Sequence, residues 1–144
     1  MSNLGKFWAL SDDERKMLLG SAWRISWARL QIRIVPFQRI AESLEMPANG
    51  RHAELAGASR DHASAVKWST AVSAARLPWC RNCLAQAVAA KRYLNRCGAA
   101  STLYLGVATE AAAADLEAHA WLESDGQILT GESDDEYQVI YAQS

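Results

Sequence analysis

PWCRNCLAQAVAAKRYLNRCG, Pro78 to Gly98, is the stretch on which the fold turns. Its first half reads as a turn, because Leu77-Pro78 stops whatever helix precedes it. Asn82 is a good N-cap, since its side-chain oxygen can accept from an otherwise orphaned backbone N–H. Leu84, Ala87, Val88, Tyr93 and Leu94 then recur at helical spacing, and Gly98 stands where a left-handed residue closes a helix. Cys83 falls in the first turn of that helix. There the unpaired N–H groups and the positive end of the macrodipole favour an anion, and so favour a thiolate.

Outward from this helix, Glu117 to Glu132 (EAHAWLESDGQILTGE) alternates like two strands around an Asp125-Gly126 hairpin turn. It carries His119. A thiolate at a helix start and an imidazole on a later strand are the minimum equipment for cysteine nucleophilic catalysis. Asp125-Gly126 as a two-residue turn sets Ser124 against Gln127, and the ladder then runs back until His119 stands opposite Glu132. Glu132 is the carboxylate this register offers to orient the ring. A longer loop would turn it away, leaving Glu123, Asp134, Thr130 or a backbone carbonyl as substitutes.

The totals set the frame. A chain of 144 residues, half of them hydrophobic and six of them Trp, can bury a core in one domain. A net charge of −1 gives no overall pull toward nucleic acid or anionic lipid. Three cysteines is an odd number, and Met1 to Leu10 is too polar and short for a secretory signal, so the expectation is a cytoplasmic protein with free thiols.

Toward the N-terminus, Ser11 and Glu14 form a capping-box pattern. From Asp12 to Val35, apolar residues surround most of a helix. Arg24, Arg29 and Arg33 interrupt it too often for a membrane span, and snorkelling arginines on a largely covered helix fit better. Pro36 ends it, and Phe37 to Leu44 reads as a second short helix. Met46 to Gly57 is a Pro/Gly/Asn-bearing connection. It suggests a helical extension over residues 1–50 and a cysteine-bearing domain over 51–144. Arg60 to Arg76 reads as helix, with Ala63, Val66, Thr70 and Ala74 on one face. Ser101 to Ala108 is a buried strand, Thr109 to Asp115 a loop, Asp134-Asp135 a turn, and Tyr137 to Ala142 (YQVIYA) a last strand. Helices followed by an antiparallel sheet make an α+β layout.

Each chemical candidate has a plain alternative. Cys83 could be a small buried apolar residue and His119 a satisfied core histidine. Cys80, Cys83, Cys97 and His119 invite zinc, but Cys97 lies about 20 Å from Cys83 along the helix, and a second close pair is missing. A redox C-x-x-C lacks a strand leading into it. No metal or cofactor is expected. Trp79 and Trp121 flank the two candidate catalytic residues and suit either core or cleft wall. The Cys83 N–H is the natural first donor of an oxyanion hole.

Three stretches together, LPWCRNCLAQAVAAKRYLNRCGAASTLYLGV, EAHAWLESDGQILTG and YQVIYA, resemble the transglutaminase-like leader peptidases of lasso peptide biosynthesis, free-standing proteases encoded beside a separate leader-binding protein. LSDDERKMLLGSAW and RIVPFQRI are similar to that family's helical lead-in. The resemblance implies a papain/transglutaminase-type core with a Cys–His–acid site. Cys83 matches the nucleophile at the C of CLAQA, and His119 the base at the H of AHAW. The family's aspartate would fall near Thr130-Gly131-Glu132, so Glu132 stands one position beyond the match. The resemblance further implies a precursor-peptide substrate, a small leader-recognition protein that delivers it, and an ATP-dependent cyclase acting next. Trp23, Trp27 and Arg29 are then candidate anchors for the leader or its carrier; alternatively the two tryptophans only pack the N-terminal helix. The rivals are an amidase or acyltransferase using the same site, and a non-catalytic binding module with structural Cys and His.

Overall fold

Five α-helices and a four-stranded sheet make up the computed structural model, which describes residues 3–44, 56–108, 118–133 and 136–144. The helices are α1 (Asn3–Trp8), α2 (Asp12–Ile34), α3 (Phe37–Ser43), α4 (Ala56–Arg76) and α5 (Cys83–Arg96), with a 3-10 turn at Pro78–Arg81 before α5. The strands are β1 (Thr102–Ala108), β2 (Ala118–Ser124), β3 (Gln127–Thr130) and β4 (Tyr137–Gln143), in the antiparallel order β3-β2-β1-β4. The α+β architecture expected from the sequence is what forms.

Local chemistry fixes most of the boundaries. The Ser11 Oγ accepts from the Glu14 N–H at 3.3 Å while the Glu14 carboxylate accepts from the Ser11 N–H at 2.8 Å, so the capping box closes at both ends. Pro36 separates α2 from α3, as expected. Asp125 and Gly126 both take positive φ, 50° and 75°, which suits a tight hairpin turn between β2 and β3. Helix α4 begins at Ala56, four residues ahead of the expected start, so the end of the expected Met46 to Gly57 connection is helical. The expected loop at Thr109 to Asp115 and the turn at Asp134-Asp135 lie outside the described residues.

One core joins the layers. Ile25 and Ala28 of α2, Leu44, Val66 of α4, Val88 and Leu94 of α5, and Leu103, Ala120, Leu122 and Leu129 of the sheet belong to a single buried cluster. Helix α2 buries Leu18, Ser21, Ile25 and Ala28 at the three- and four-residue spacing of one face. Its other face leaves Leu19, Trp23, Trp27, Leu30 and Ile34 exposed. No described helix is long and apolar enough to cross a membrane.

Strand alternation then assigns the sheet's two faces. Leu103 pairs with Leu122 and Leu105 with Ala120, all on the side packed against the helices. Tyr104 pairs with Trp121 and Gly106 with His119 on the other side. Because β1 returns along the sheet after α5 and β2 runs antiparallel to it, the start of β2 comes back to the end of the molecule that holds the start of α5.

Candidate active site

The turn before α5 is braced by side chains, which hold two of its carbonyls and tie its last residue, Arg81, back to α4. Arg29 donates to the Trp79 carbonyl at 3.1 Å, Gln86 to the Cys80 carbonyl at 2.6 Å, and Arg81 to the Ala74 carbonyl at 3.2 Å. Asn82 caps α5 as expected, its Oδ1 accepting from the Ala85 N–H at 2.9 Å. Cys83 is thereby fixed as the first residue of α5, half-buried against the core, with the positive end of the helix beneath it. Cys80 is wholly buried, and burial pushes its thiol up from the usual range. The two cysteines of C-x-x-C therefore differ sharply in access. Among the described residues no group of three His, Cys, Asp or Glu side chains converges as a metal site would require.

His119 occupies the other side of the sheet. Its Nε2 lies 2.6 Å from the Gly131 carbonyl, and since a carbonyl only accepts, Nε2 carries the proton in that bond. In the neutral ring Nδ1 is then the free basic nitrogen. Tyr137 stacks on the imidazole at 4.8 Å between centroids, and Trp121 lies nearly parallel to it at 6.1 Å. Two glycines make this possible. A Cβ on Gly106 would come within 2.9 Å of both Trp121 and Tyr137, so only hydrogen fits beneath the aromatic stack. A Cβ on Gly131, at φ +74°, would sit 2.3 Å from the Ala120 carbonyl. His119, Trp121, Glu123, Ile128, Gly131, Ser133 and Tyr137 line a cleft of about 190 Å3, where the Glu123 carboxylate accepts from the Trp121 indole N–H at 3.2 Å.

The expected register holds for Ser124 with Gln127 and Glu123 with Ile128, then fails: Leu122 pairs with Thr130, one place late. A bulge opposite Leu122/Glu123 inserts Leu129 as an extra residue, and it turns that side chain into the core. The shift takes Glu132 out of the place opposite His119 and leaves it exposed. The ring's partner is instead the backbone carbonyl of Gly131, one of the substitutes the sequence left open.

Among the described residues no hydrogen bond joins Cys83 to His119 or His119 to Glu132. Trp121 shares the His119 cleft, whereas Trp79, 48% exposed, sits on the turn ahead of Cys83. Trp23 and Trp27 stack on each other on the outer face of α2. Arg29 is not with them: it reaches across to Trp79 and braces the turn that presents Cys83. Sequence reasoning missed Tyr137, because a strand pattern says nothing of what stacks beside a histidine from two strands away.

A family model described as the transglutaminase-like superfamily matches residues 23–142, so the chain belongs to that superfamily. No curated protein and no solved structure matches it. The matched segment takes in Cys83, His119 and Glu132 together with both tryptophans of α2.

Proposed function

We propose that this protein is a cysteine endopeptidase that removes the leader from a lasso peptide precursor through a thioester acyl-enzyme. The reading rests on one observation above others: a chain of the transglutaminase-like superfamily sets a half-exposed cysteine as the first residue of a well-capped helix. Cys83 Sγ attacks the scissile carbonyl, and the new oxyanion is stabilised by the Cys83 N–H. His119, protonated, delivers its proton to the departing amine as the C–N bond breaks. Water, deprotonated by the same imidazole, then releases the acid and frees the thiol. The Gly131 carbonyl orients the ring in place of the Glu132 carboxylate expected from the sequence. Trp79 and Trp121 flank the peptide.

At rest His119 faces away from the α5 side of β2, so the ring must be re-aimed about the start of that strand to reach Sγ. Catalytic contacts commonly tighten only in the substrate complex. A separate leader-binding protein that delivers the precursor is therefore also the event that completes the site, and the cyclase acts on the product. Three unpaired thiols suit a reducing cytoplasm.

Incubating the protein with precursor and carrier, and reading products by mass, tests this. Cleavage is expected, with a fall of at least about 10³-fold in Cys83→Ala. Cleavage that survives Cys83→Ala, or none with the full set of partners, overturns it. The superfamily match also suits transfer to an amine: transamidated rather than hydrolysed product in the presence of added amines would replace peptidase by acyltransferase on the same residues.

A further inference from the structure

A groove of about 500 Å3 runs between α2 and α5, apart from the His119 cleft. Trp23 and Trp27 form one wall, stacked at 6.5 Å with 15° between planes, and are 70% and 48% exposed. Arg24, Arg92 and Arg96 line the other side with Ser43 and Ala89, and Gln31 lies between the two helices. Arg24 lies over the Tyr93 ring at 4.5 Å, and Arg92 donates to Gln31 and, at 3.2 Å, to Ser43. Among the described residues no carboxylate pairs with any of the three guanidinium groups, and no acidic side chain lines the groove. Burial lowers the pKa of both Arg24 and Arg92, and Arg96 lowers both further by repulsion.

An arrangement of three like charges beside two exposed indoles is costly without an occupant and complementary to one kind of occupant. Carboxylates would meet the guanidinium forks, and a bulky apolar side chain would cover the tryptophan pair. The volume has room for a few side chains; a folded partner needs about 800 Å2 of its own surface. A net charge of −1 and a patch of three arginines fall short of the basic track that nucleic acid requires.

We propose that this groove binds an acidic, apolar-bearing segment of the peptide substrate, outside the residues that are cut. The proposal rests on the peptidase reading and adds a ruler to it. The groove touches α5 from Ala89 to Arg96, about 9 to 20 Å along the helix from Cys83 at 1.5 Å per residue. An extended chain covers that in about three to six residues, so the acidic segment stands at least about three residues from the scissile bond.

The test uses the full chain as Cys83→Ala, so that nothing is cut, and a short fluorescein-labelled peptide of Glu, Leu and Gly read by anisotropy. Saturable binding is expected, weakening with salt and falling about tenfold or more in Arg96→Glu and in Trp23→Ser. Trp23 is largely exposed and Arg96 is exposed, so both variants fold, and far-UV circular dichroism checks it. Arg96→Glu should in turn gain affinity for the same peptide with Lys in place of Glu. No saturable binding, equal binding of the Lys peptide by the unreversed protein, or indifference to both substitutions overturns the proposal. Tighter binding of a short single-stranded oligonucleotide also overturns it, making the groove a phosphate site. Binding without any peptidase activity in the parent protein would condemn the enzyme reading alone, and activity without binding would condemn the groove alone.

Discussion

Residue 131 is glycine because its carbonyl must reach His119 while its α-carbon passes against β2. At φ +74°, with the Ala120 carbonyl 2.3 Å from any added Cβ, Gly131→Ala must either strain or push the strands apart. A loss of about 2 kcal/mol in chemical denaturation is expected, together with displacement of the imidazole. Lys91 carries the opposite lesson. It is fully buried on α5, donates to the Ser101 carbonyl at 2.8 Å and, among the described residues, faces no carboxylate; burial lowers its pKa. Between that lowered value and 10.5 the unfolded chain binds more protons than the folded one, so stability rises with pH there. Lys91→Met should raise stability near neutral pH by about 1 kcal/mol and remove that rise. Cys80 works the other way: with its thiol raised, the unfolded chain loses the proton first, and stability falls as pH climbs past 9.0. Denaturation curves across pH for parent and Lys91→Met separate the two. At this scale Cys83 was legible in the sequence because a cap, a spacing and a stop are local signals. Lys91 was not, since the helical pattern alone gives no sign of a lysine turned inward.

Among the elements, α5 depends on its first turn. Asn82→Ala removes the bond to the Ala85 N–H and should cost about 1 kcal/mol, measurable by thermal unfolding, while Asn82→Asp keeps most of it. The same change should slow alkylation of Cys83, because the first turn is what holds the sulfur at the helix end. The strands and their order of appearance followed from alternation and the Asp-Gly turn, and β3 (Gln127–Thr130) starts directly after that turn. The bulge at Leu122/Glu123 was hidden, because LESDGQILT alternates equally well with or without an extra residue, and core packing of Leu129 decides. One inserted residue was enough to exchange a side-chain carboxylate for a backbone carbonyl at the imidazole.

For the whole molecule, α2 explains why its helix looked apolar all round. One stripe enters the common core, and the other remains outside, where it meets the arginines of α5. The Trp/Arg pattern was visible in the sequence, but the groove was not, because Arg92 and Arg96 arrive from a helix more than 60 residues on; Arg29, grouped with the tryptophans by proximity in the chain, braces the Cys83 turn instead. The relation of Cys83 to His119 is likewise set by the whole molecule: chain order brings the starts of α5 and β2 to one end, and strand alternation puts His119 on the face of β2 away from the core that Cys83 packs against.

The most direct measurement is the rate at which iodoacetamide modifies each cysteine at about pH 6 to 7, mapped by peptide mass, in parent protein and in His119→Gln, with and without precursor and carrier. Rapid modification confined to Cys83, slowed about tenfold or more in His119→Gln, with Cys80 silent until unfolding, is the predicted result. A Cys83 that stays inert in every mixture, or reacts at the same rate whatever stands at 119, contradicts a nucleophile and base acting as a pair.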